Sequence, residues 1–346
     1  MDVILSFDSE DYLTPEAADA EKWWAEELTS RGIRGSFQCV GQLIRALRQR
    51  GRNDVIKAMG RHEIGNHTDF HSYPPTHPQA VQDMNLSDGV QWVRDTEASS
   101  FATLREAFGV TPISYCPPGD SWTPATLIAM AAAGVRTTAS GRTDFPNAPN
   151  QPFWYCGLLI CFYQMSFDRF FGEGPDQEGA FKACYEEIAA GLPENGVMIV
   201  YSHPTRLVAS EFWDRVCFGG QAPPFDQLPP APLWSAEHQA TLKERCGRWL
   251  DWIQARPDTR FIDFTTLYER YREKGRTIES LLAECDLRPG QEHLLPVARP
   301  VPSNALGAEA FEDLRYGWGV LPADLKSDAL FEQARGLRWT SALAHR

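Results

Sequence analysis

Histidines and acids are concentrated in two short stretches of the sequence. The stretch HEIGNHTDFH (62–71) holds three of the eight histidines, and FDSED (7–11) holds three acids within four residues. His67 and His71 are four residues apart, so on a helical turn both imidazoles lie on one face and can reach one metal ion. The metalloprotease motif H-E-x-x-H is absent, because His62 and His67 are five residues apart.

A carboxylate is expected to complete this metal pair. The first strand-like segment runs into Asp8, and the loops that follow barrel strands are where functional residues usually lie. Period-two alternation puts Asp8 and Glu10 on the same side of the strand and turns Asp11 away. One acid can then bind a metal while another stays free as a base. Two histidines and one carboxylate with open positions are what a hydrolytic zinc site needs.

The elements that must position these residues follow a regular rhythm. Short apolar runs alternate with amphipathic stretches roughly eight times, which predicts a parallel α/β sheet closed into a barrel. Two regions break the rhythm, namely residues 212–234 and the stretch after about residue 275, where the alternation is lost. Residues 212–234 form a loop rich in proline and aromatic residues, which is typical of a lid or binding wall. We therefore predict one barrel domain over 1–275 that contains this loop, and a C-terminal extension over 276–346 of unknown role.

Composition excludes several classes of partner. The formal net charge is −13, which opposes binding to nucleic acid or to an anionic membrane, because both attract positive charge. No run approaches the ~20 apolar residues that a membrane span requires. The eight cysteines are scattered without a C-x-x-C pair, and no secretory signal is visible, so we expect free thiols and a cytoplasmic protein.

Four stretches, in this order, resemble the successive motifs of the NodB-type polysaccharide deacetylases, carbohydrate esterase family 4. They are LSFDSED, HEIGNHTDFH, YCPPGDSW and MIVYSHP. The resemblance spans about residues 2 to 270, and RFIDFTTL is similar to the segment that closes the family's domain. It implies a distorted (β/α) barrel of the glycoside hydrolase/deacetylase type. It also implies metal-dependent hydrolysis of an N-acyl group, commonly on an N-acetyl sugar.

The resemblance also assigns roles to individual residues. The family's base falls on Asp8, its two metal histidines on His67 and His71, and its late-motif histidine on His203. The family's metal aspartate usually follows the base, but Ser9 occupies that place. The ligand is then Glu10, which strand alternation favours, or Asp11. The implied cofactor is a divalent ion, zinc foremost, with Co²⁺, Mn²⁺ or Ni²⁺ as alternatives.

The third motif departs from the family pattern. The family has Arg-x-Pro, whose arginine pairs with the base, whereas this sequence has Cys116 there. Unless Arg142, Arg169 or Arg206 takes over, the pKa of Asp8 should rise, because a neutral thiol cannot form an ion pair.

The remaining predicted roles concern the substrate. The backbone N–H of Gly119 could hold an oxyanion, and His203 could protonate the departing amine. Trp122, and Trp213 in the loop, could stack on a sugar or roof the pocket.

Three classes of function stay open from the sequence. The first is an amide hydrolase acting on a saccharide, on a sugar-containing precursor, or on a small cyclic imide or ureide. The second is a non-catalytic carbohydrate-binding barrel. The third, an iron oxygenase with the same ligand set, is opposed by the strand-helix rhythm, since its usual fold is all-β. A homo-oligomer is left open.

Overall fold

The alternating apolar and amphipathic segments form strands and helices that follow one another along the chain. The computed structural model describes residues 1–84, 86–141, 152–155, 158–174, 176–193, 195–218 and 222–272. The predicted extension over 276–346 and Arg142 lie outside the described residues, so the domain boundary near 275 stays a prediction.

Nine strands are present in the described residues. They are β1 (Asp2–Ser9), β2 (Ser36–Cys39), β3 (Glu63–Asn66), β4 (Ser114–Tyr115), β5 (Thr137–Ser140), β6 (Phe153–Tyr155), β7 (Leu158–Ser166), β8 (Val197–Ser202) and β9 (Arg260–Phe261). The helices are α1 (Ala17–Ser30), α2 (Gly41–Gln49), α3 (Asn53–Met59), α4 (His77–Val81), α5 (Leu86–Phe108), α6 (Pro124–Ala133), α7 (Gln177–Gly191), α8 (Ala236–Gln254) and α9 (Phe264–Tyr271).

Seven parallel strands close into a barrel. Their order around the ring is β2-β3-β4-β5-β7-β8-β1, and β1 pairs again with β2. β9 pairs with the first two residues of β1, whereas β6 lies outside the ring and pairs antiparallel with β7. The predicted distorted (β/α) barrel is therefore confirmed, with seven strands in the ring rather than the eight of a regular barrel.

Helices α7 and α8 pack together through a cluster of aromatic side chains. Phe181 on α7 stacks on Trp249 on α8 with ring centroids 4.3 Å apart, and Phe167 packs against both rings. None of the described helices is long and apolar enough to cross a membrane.

Parallel pairing brings the carboxyl ends of the strands to one edge of the barrel. The segments that follow β1, β3, β4 and β8 all leave from this edge, and together with Asp8 near the end of β1 they contain the residues that the sequence motifs single out. The described part of the proline-rich loop forms two short 3₁₀ turns, Trp213–Cys217 and Phe225–Gln227.

Candidate metal centre and active site

Glu10, His67 and His71 meet at the carboxyl edge of the barrel. Nε2 of His71 is 2.7 Å and Nε2 of His67 is 3.5 Å from Oε2 of Glu10. The three potential ligand atoms lie within 4.8 Å of one another. Glu10 is 2% exposed and His67 is 1% exposed, so both side chains are largely removed from solvent.

The orientation of His67 tests whether a metal ion fits. Its Nδ1 is 2.7 Å from the carbonyl oxygen of Cys116. A carbonyl can only accept, so Nδ1 carries the proton and Nε2 keeps its lone pair. Nε2 is buried and has no hydrogen-bond partner. A buried acceptor without a partner is uncommon, and a divalent ion shared with Glu10 and His71 would satisfy it.

The segment that joins the two histidines is not helical, which corrects the geometry expected from their spacing. His67 directly follows β3, and both Thr68 (φ 65°) and His71 (φ 57°) have left-handed backbone conformations. The N–H of His71 donates to the hydroxyl of Thr68 at 3.0 Å, which holds the turn. The imidazoles therefore converge through a tight turn rather than along one face of a helix.

Asp11 points away from the histidines, as strand alternation predicts. Its Oδ1 accepts hydrogen bonds from the N–H groups of Leu13 and Thr14 at 3.0 and 2.9 Å. Its Oδ2 accepts from the hydroxyl of Thr205 at 2.7 Å. The structure thus brings Glu10, not Asp11, to the two imidazoles, and Asp11 instead ties the loop after β1 to the segment after β8.

Asp8 lies beside this cluster, with His203 and Cys116 as its neighbours. Its Oδ2 is 3.7 Å from Nε2 of His203 and 3.5 Å from Sγ of Cys116, and its Oδ1 has no hydrogen-bond partner. Burial raises the pKa of Asp8, although the charges of His67 and His203 act in the opposite direction. The direction of the predicted rise is therefore confirmed, with burial as its largest cause.

The described arginines that the sequence offered as substitutes lie elsewhere. The guanidinium of Arg169 stands 5.9 Å from the ring of Phe170. That of Arg206 donates to the carbonyl of Ala209 at 2.9 Å and lies over the ring of Phe212.

His203 is held by Asp168, a residue that the sequence reasoning missed. Nδ1 of His203 is 2.5 Å from Oδ2 of Asp168, and the backbone N–H of His203 donates to the same oxygen at 3.2 Å. Burial lowers the pKa of His203, but the carboxylates of Glu10 and Asp168 outweigh it and raise this pKa to about 10. Asp168 comes two residues after β7, so its place at a strand end was the signal that could have revealed it.

The proline-rich loop contacts the metal-ligand cluster directly. The indole N–H of Trp213 donates to Oε1 of Glu10 at 3.1 Å. Oδ2 of Asp214 accepts from the hydroxyl of Ser72 at 2.6 Å and lies 3.3 Å from Nδ1 of His71. Trp213 is 2% exposed, so it orients a potential ligand rather than offering its ring to a substrate. Asp214 was also missed by the sequence reasoning.

The charges around His71 favour its protonated form when no metal is bound. Burial lowers the pKa of His71, but the carboxylates of Glu10 and Asp214 overcome this effect and raise the pKa to about 9. A metal ion must therefore displace a proton from this imidazole.

The comparisons with known proteins bear on the fold. No family model matches the sequence, and no curated protein matches it. A presumed polysaccharide deacetylase from Mycobacterium smegmatis matches in structure with a TM-score of 0.52 at 14% identity, over 79% of this chain and 90% of that one. The chain has the polysaccharide deacetylase fold.

Two further solved structures match less closely. The structure of Puue allantoinase aligns with a TM-score of 0.49 at 13% identity, over 79% of this chain and 90% of that one. A family 4 acetyl xylan esterase from Clostridium thermocellum, in complex with a cobalt ion, aligns with a TM-score of 0.42 at 16% identity, over 78% of this chain and 91% of that one.

Within this polysaccharide deacetylase fold, the third motif follows β4. Gly119 occupies the short 3₁₀ turn Pro118–Asp120 with a φ of 51°, a left-handed conformation that glycine adopts without strain. Trp122 is 7% exposed and belongs to the apolar cluster that contains Tyr115 and Ile128. The indole of Trp122 is thus packed mainly against the protein, which leaves little of it for a sugar.

Proposed function

We propose that this protein hydrolyses an amide carbon-nitrogen bond with the help of a divalent metal ion, and that its substrate is an N-acetylated saccharide or a sugar-containing precursor. One observation carries the proposal. A buried set of two imidazoles and one carboxylate, of the kind that binds zinc, lies beside a second carboxylate, Asp8, and a third imidazole, His203, that would transfer protons.

Glu10, His67 and His71 would hold the ion. When bound there, a divalent ion would polarise the carbonyl of the substrate and lower the pKa of a water molecule at the same centre. Trp213 and Asp214 would keep Glu10 and His71 in place, because groups that hydrogen-bond to ligands fix their orientation.

Asp8 would act as the general base. Its carboxylate lies within 4.8 Å of the potential ligand atom of His67. Its raised pKa makes it a better proton acceptor than an ordinary carboxylate. The N–H of Gly119 would stabilise the negative charge that develops on the carbonyl oxygen.

His203 would act as the general acid. A pKa near 10 keeps the imidazole protonated at neutral pH, ready to give a proton to the departing amine. Asp168 would hold its tautomer and orientation, as a buried carboxylate does for a catalytic histidine in other hydrolases.

The experiment that tests the proposal compares substrate classes and metals. Purified protein, stripped of metal and reloaded with Zn²⁺, Co²⁺, Mn²⁺ or Ni²⁺, is assayed with N-acetylated sugars and, separately, with cyclic imides and ureides. We expect acetate release from the N-acetyl sugars that requires metal and disappears in His67→Ala. If only the imides or ureides are hydrolysed, the substrate is a small cyclic amide and not a saccharide.

A matched control variant separates chemistry from folding. His238 is also buried, and its Nε2 hydrogen-bonds to the carbonyl of Phe171 at 3.0 Å, away from the cluster. His238→Ala should therefore keep its metal and its activity if it folds, whereas His67→Ala should lose both.

The second candidate is a non-catalytic carbohydrate-binding barrel, which the presence of Cys116 beside Asp8 favours. In this case the protein would bind a stoichiometric ion yet release no acid from any acylated amine. That result would overturn the hydrolase proposal.

A further inference from the structure

A second group of potential metal ligands overlaps the first. Asp8, His67 and Cys116 each offer one ligand atom, and these atoms lie within 4.8 Å of one another. All three side chains are buried, and Cys116 is 1% exposed. The group shares His67 with the Glu10–His67–His71 cluster but replaces a carboxylate and an imidazole by a different carboxylate and a sulfur.

Two atoms of this group are buried without a hydrogen-bond partner. They are Oδ1 of Asp8 and Nε2 of His67. Sγ of Cys116 lies 3.5 Å from Oδ2 of Asp8. An oxygen and a sulfur bound to one tetrahedral zinc-sized ion, at about 2.0 and 2.3 Å, are separated by about 3.5 Å. The spacing between Sγ of Cys116 and Oδ2 of Asp8 therefore matches that of two ligands of one ion.

A hydroxyl group that could orient a metal-bound sulfur lies beside Cys116. The hydroxyl of Tyr163 lies 2.5 Å from Sγ of Cys116, where it can donate to a metal-bound sulfur, and ligating groups are commonly oriented by such outer donors. The ring of Tyr163 is held against that of Tyr201, with centroids 4.4 Å apart.

We propose that Asp8, His67 and Cys116 form a second, sulfur-containing metal position, which takes thiophilic divalent ions such as Co²⁺, Zn²⁺ or Cd²⁺. Nε2 of His67 has one lone pair, so an ion bound through it occupies either this position or the Glu10–His71 position. The thiol proton passes to the solvent as the sulfur-metal bond forms. Hard ions such as Mn²⁺ prefer oxygen ligands and would stay at the first position.

Occupation of the second position removes the base. Asp8 cannot accept a proton from water while it binds an ion, so the fraction of Zn²⁺ or Co²⁺ at this position would be inactive in the hydrolysis proposed above, and only the fraction at the Glu10–His71 position would support it. This consequence rests on the proposed function, whereas the metal position itself does not.

Optical spectroscopy of the Co²⁺-loaded protein tests the position directly. A cobalt-thiolate bond gives an intense near-ultraviolet charge-transfer band that nitrogen and oxygen ligands do not give. We expect this band at one equivalent of Co²⁺ in the wild type. It should be lost in Cys116→Ser and in His67→Ala, and it should persist in Glu10→Gln, which alters only the first position.

Cys161→Ser is the matched control. Cys161 is also buried, and it belongs to a separate apolar cluster with Ile4 and Ala139. Its replacement should leave the band unchanged. Tight binding of Co²⁺ without the band, or a band that survives in Cys116→Ser, would overturn the proposal.

A second measurement covers the case in which the Cys116 variants do not fold. X-ray absorption of the Cd²⁺-loaded wild type reports the atoms around the ion. A sulfur neighbour supports the proposal, because among the described residues the second cluster is the one that includes a cysteine. A shell of nitrogen and oxygen alone overturns it.

Turnover data keep this inference separate from the proposed function. If the Mn²⁺ form is active, Cd²⁺ should inhibit the wild type far more strongly than Cys116→Ser, and equal inhibition of both counts against the second position. A protein inactive with every metal contradicts the hydrolase, but the cobalt band still decides whether the sulfur-containing position exists.

Discussion

The two halves of the site are built differently. In the ligand half, Glu10 and His71 are each contacted by a side chain from the proline-rich loop, Trp213 and Asp214. In the proton-transfer half, Asp8 has one oxygen without a hydrogen-bond partner and a thiol beside the other. The loop side chains thus orient two of the three potential ligands, whereas the charge of the buried base is only partly compensated. Metal affinity and reactivity should therefore respond to different substitutions.

The largest expected effect is on the proton-transfer half. Asp8→Asn removes the proposed base, so kcat should fall by about 10²- to 10⁴-fold, the usual contribution of general base catalysis. Binding of Mn²⁺ should hardly change, because Asp8 is not part of the first position. Isothermal titration with Mn²⁺ and initial rates on the same preparation check both statements. A parallel loss of metal would show that the halves are not separable.

The next effect is on the ligand half. Trp213→Phe removes the donor to Glu10, and Asp214→Asn removes the charge near His71. Each should weaken metal binding by about 10- to 100-fold, with kcat at saturating metal close to that of the wild type. Trp234→Phe is the control, because its indole N–H donates to the carbonyl of Arg206 at 3.3 Å instead. Unchanged metal affinity in both test variants would contradict the comparison.

A smaller effect concerns the pH profile. The proposed acid works only when protonated, so kcat/KM should fall as the pH rises through the pKa of His203, which is raised to about 10. An ion on Glu10 would cancel that carboxylate's share of the shift, and Asp168 then remains as the main cause. Asp168→Asn removes this anion, which lowers the pKa and moves the falling alkaline limb to lower pH. A limb that stays in place would show that Asp168 does not tune this histidine.

The smallest expected effect tests whether Asp11, unlike Glu10, lies outside the metal centre. Thr205→Val removes the hydroxyl that donates to Asp11 and should lower the free energy of unfolding by about 1–3 kcal/mol, because a buried acceptor loses its partner. Denaturant unfolding of the metal-free protein measures this loss. Metal affinity and kcat should be those of the wild type, and a loss of metal would indicate that Asp11 does contribute to the centre.

The sequence predicted what depends on local order along the chain. Strand alternation was enough to place Asp8 and Glu10 on one side and Asp11 on the other, and the strand-helix rhythm was enough for the barrel. The predicted helical turn between His67 and His71 was wrong, because residue spacing cannot distinguish a helical turn from a turn with two left-handed residues.

Contacts between distant segments were beyond the sequence reasoning. The bond from Trp213 to Glu10 joins residues 203 positions apart, and its register depends on how an irregular loop folds back over the barrel. Asp168 lay outside the motifs, and its position two residues after a strand was the single signal that the sequence offered for it. The structure was needed to find both.

The hydrogen bond between His67 and residue 116 separates the role of the backbone at this position from that of the side chain. The acceptor of the Nδ1 proton is a main-chain carbonyl, which any amino acid at position 116 would supply. The side chain at position 116 therefore does not orient His67, and an arginine, a thiol or a smaller group there would keep the same hydrogen bond to the imidazole. A substitution at position 116 should therefore leave the orientation of the His67 imidazole unchanged.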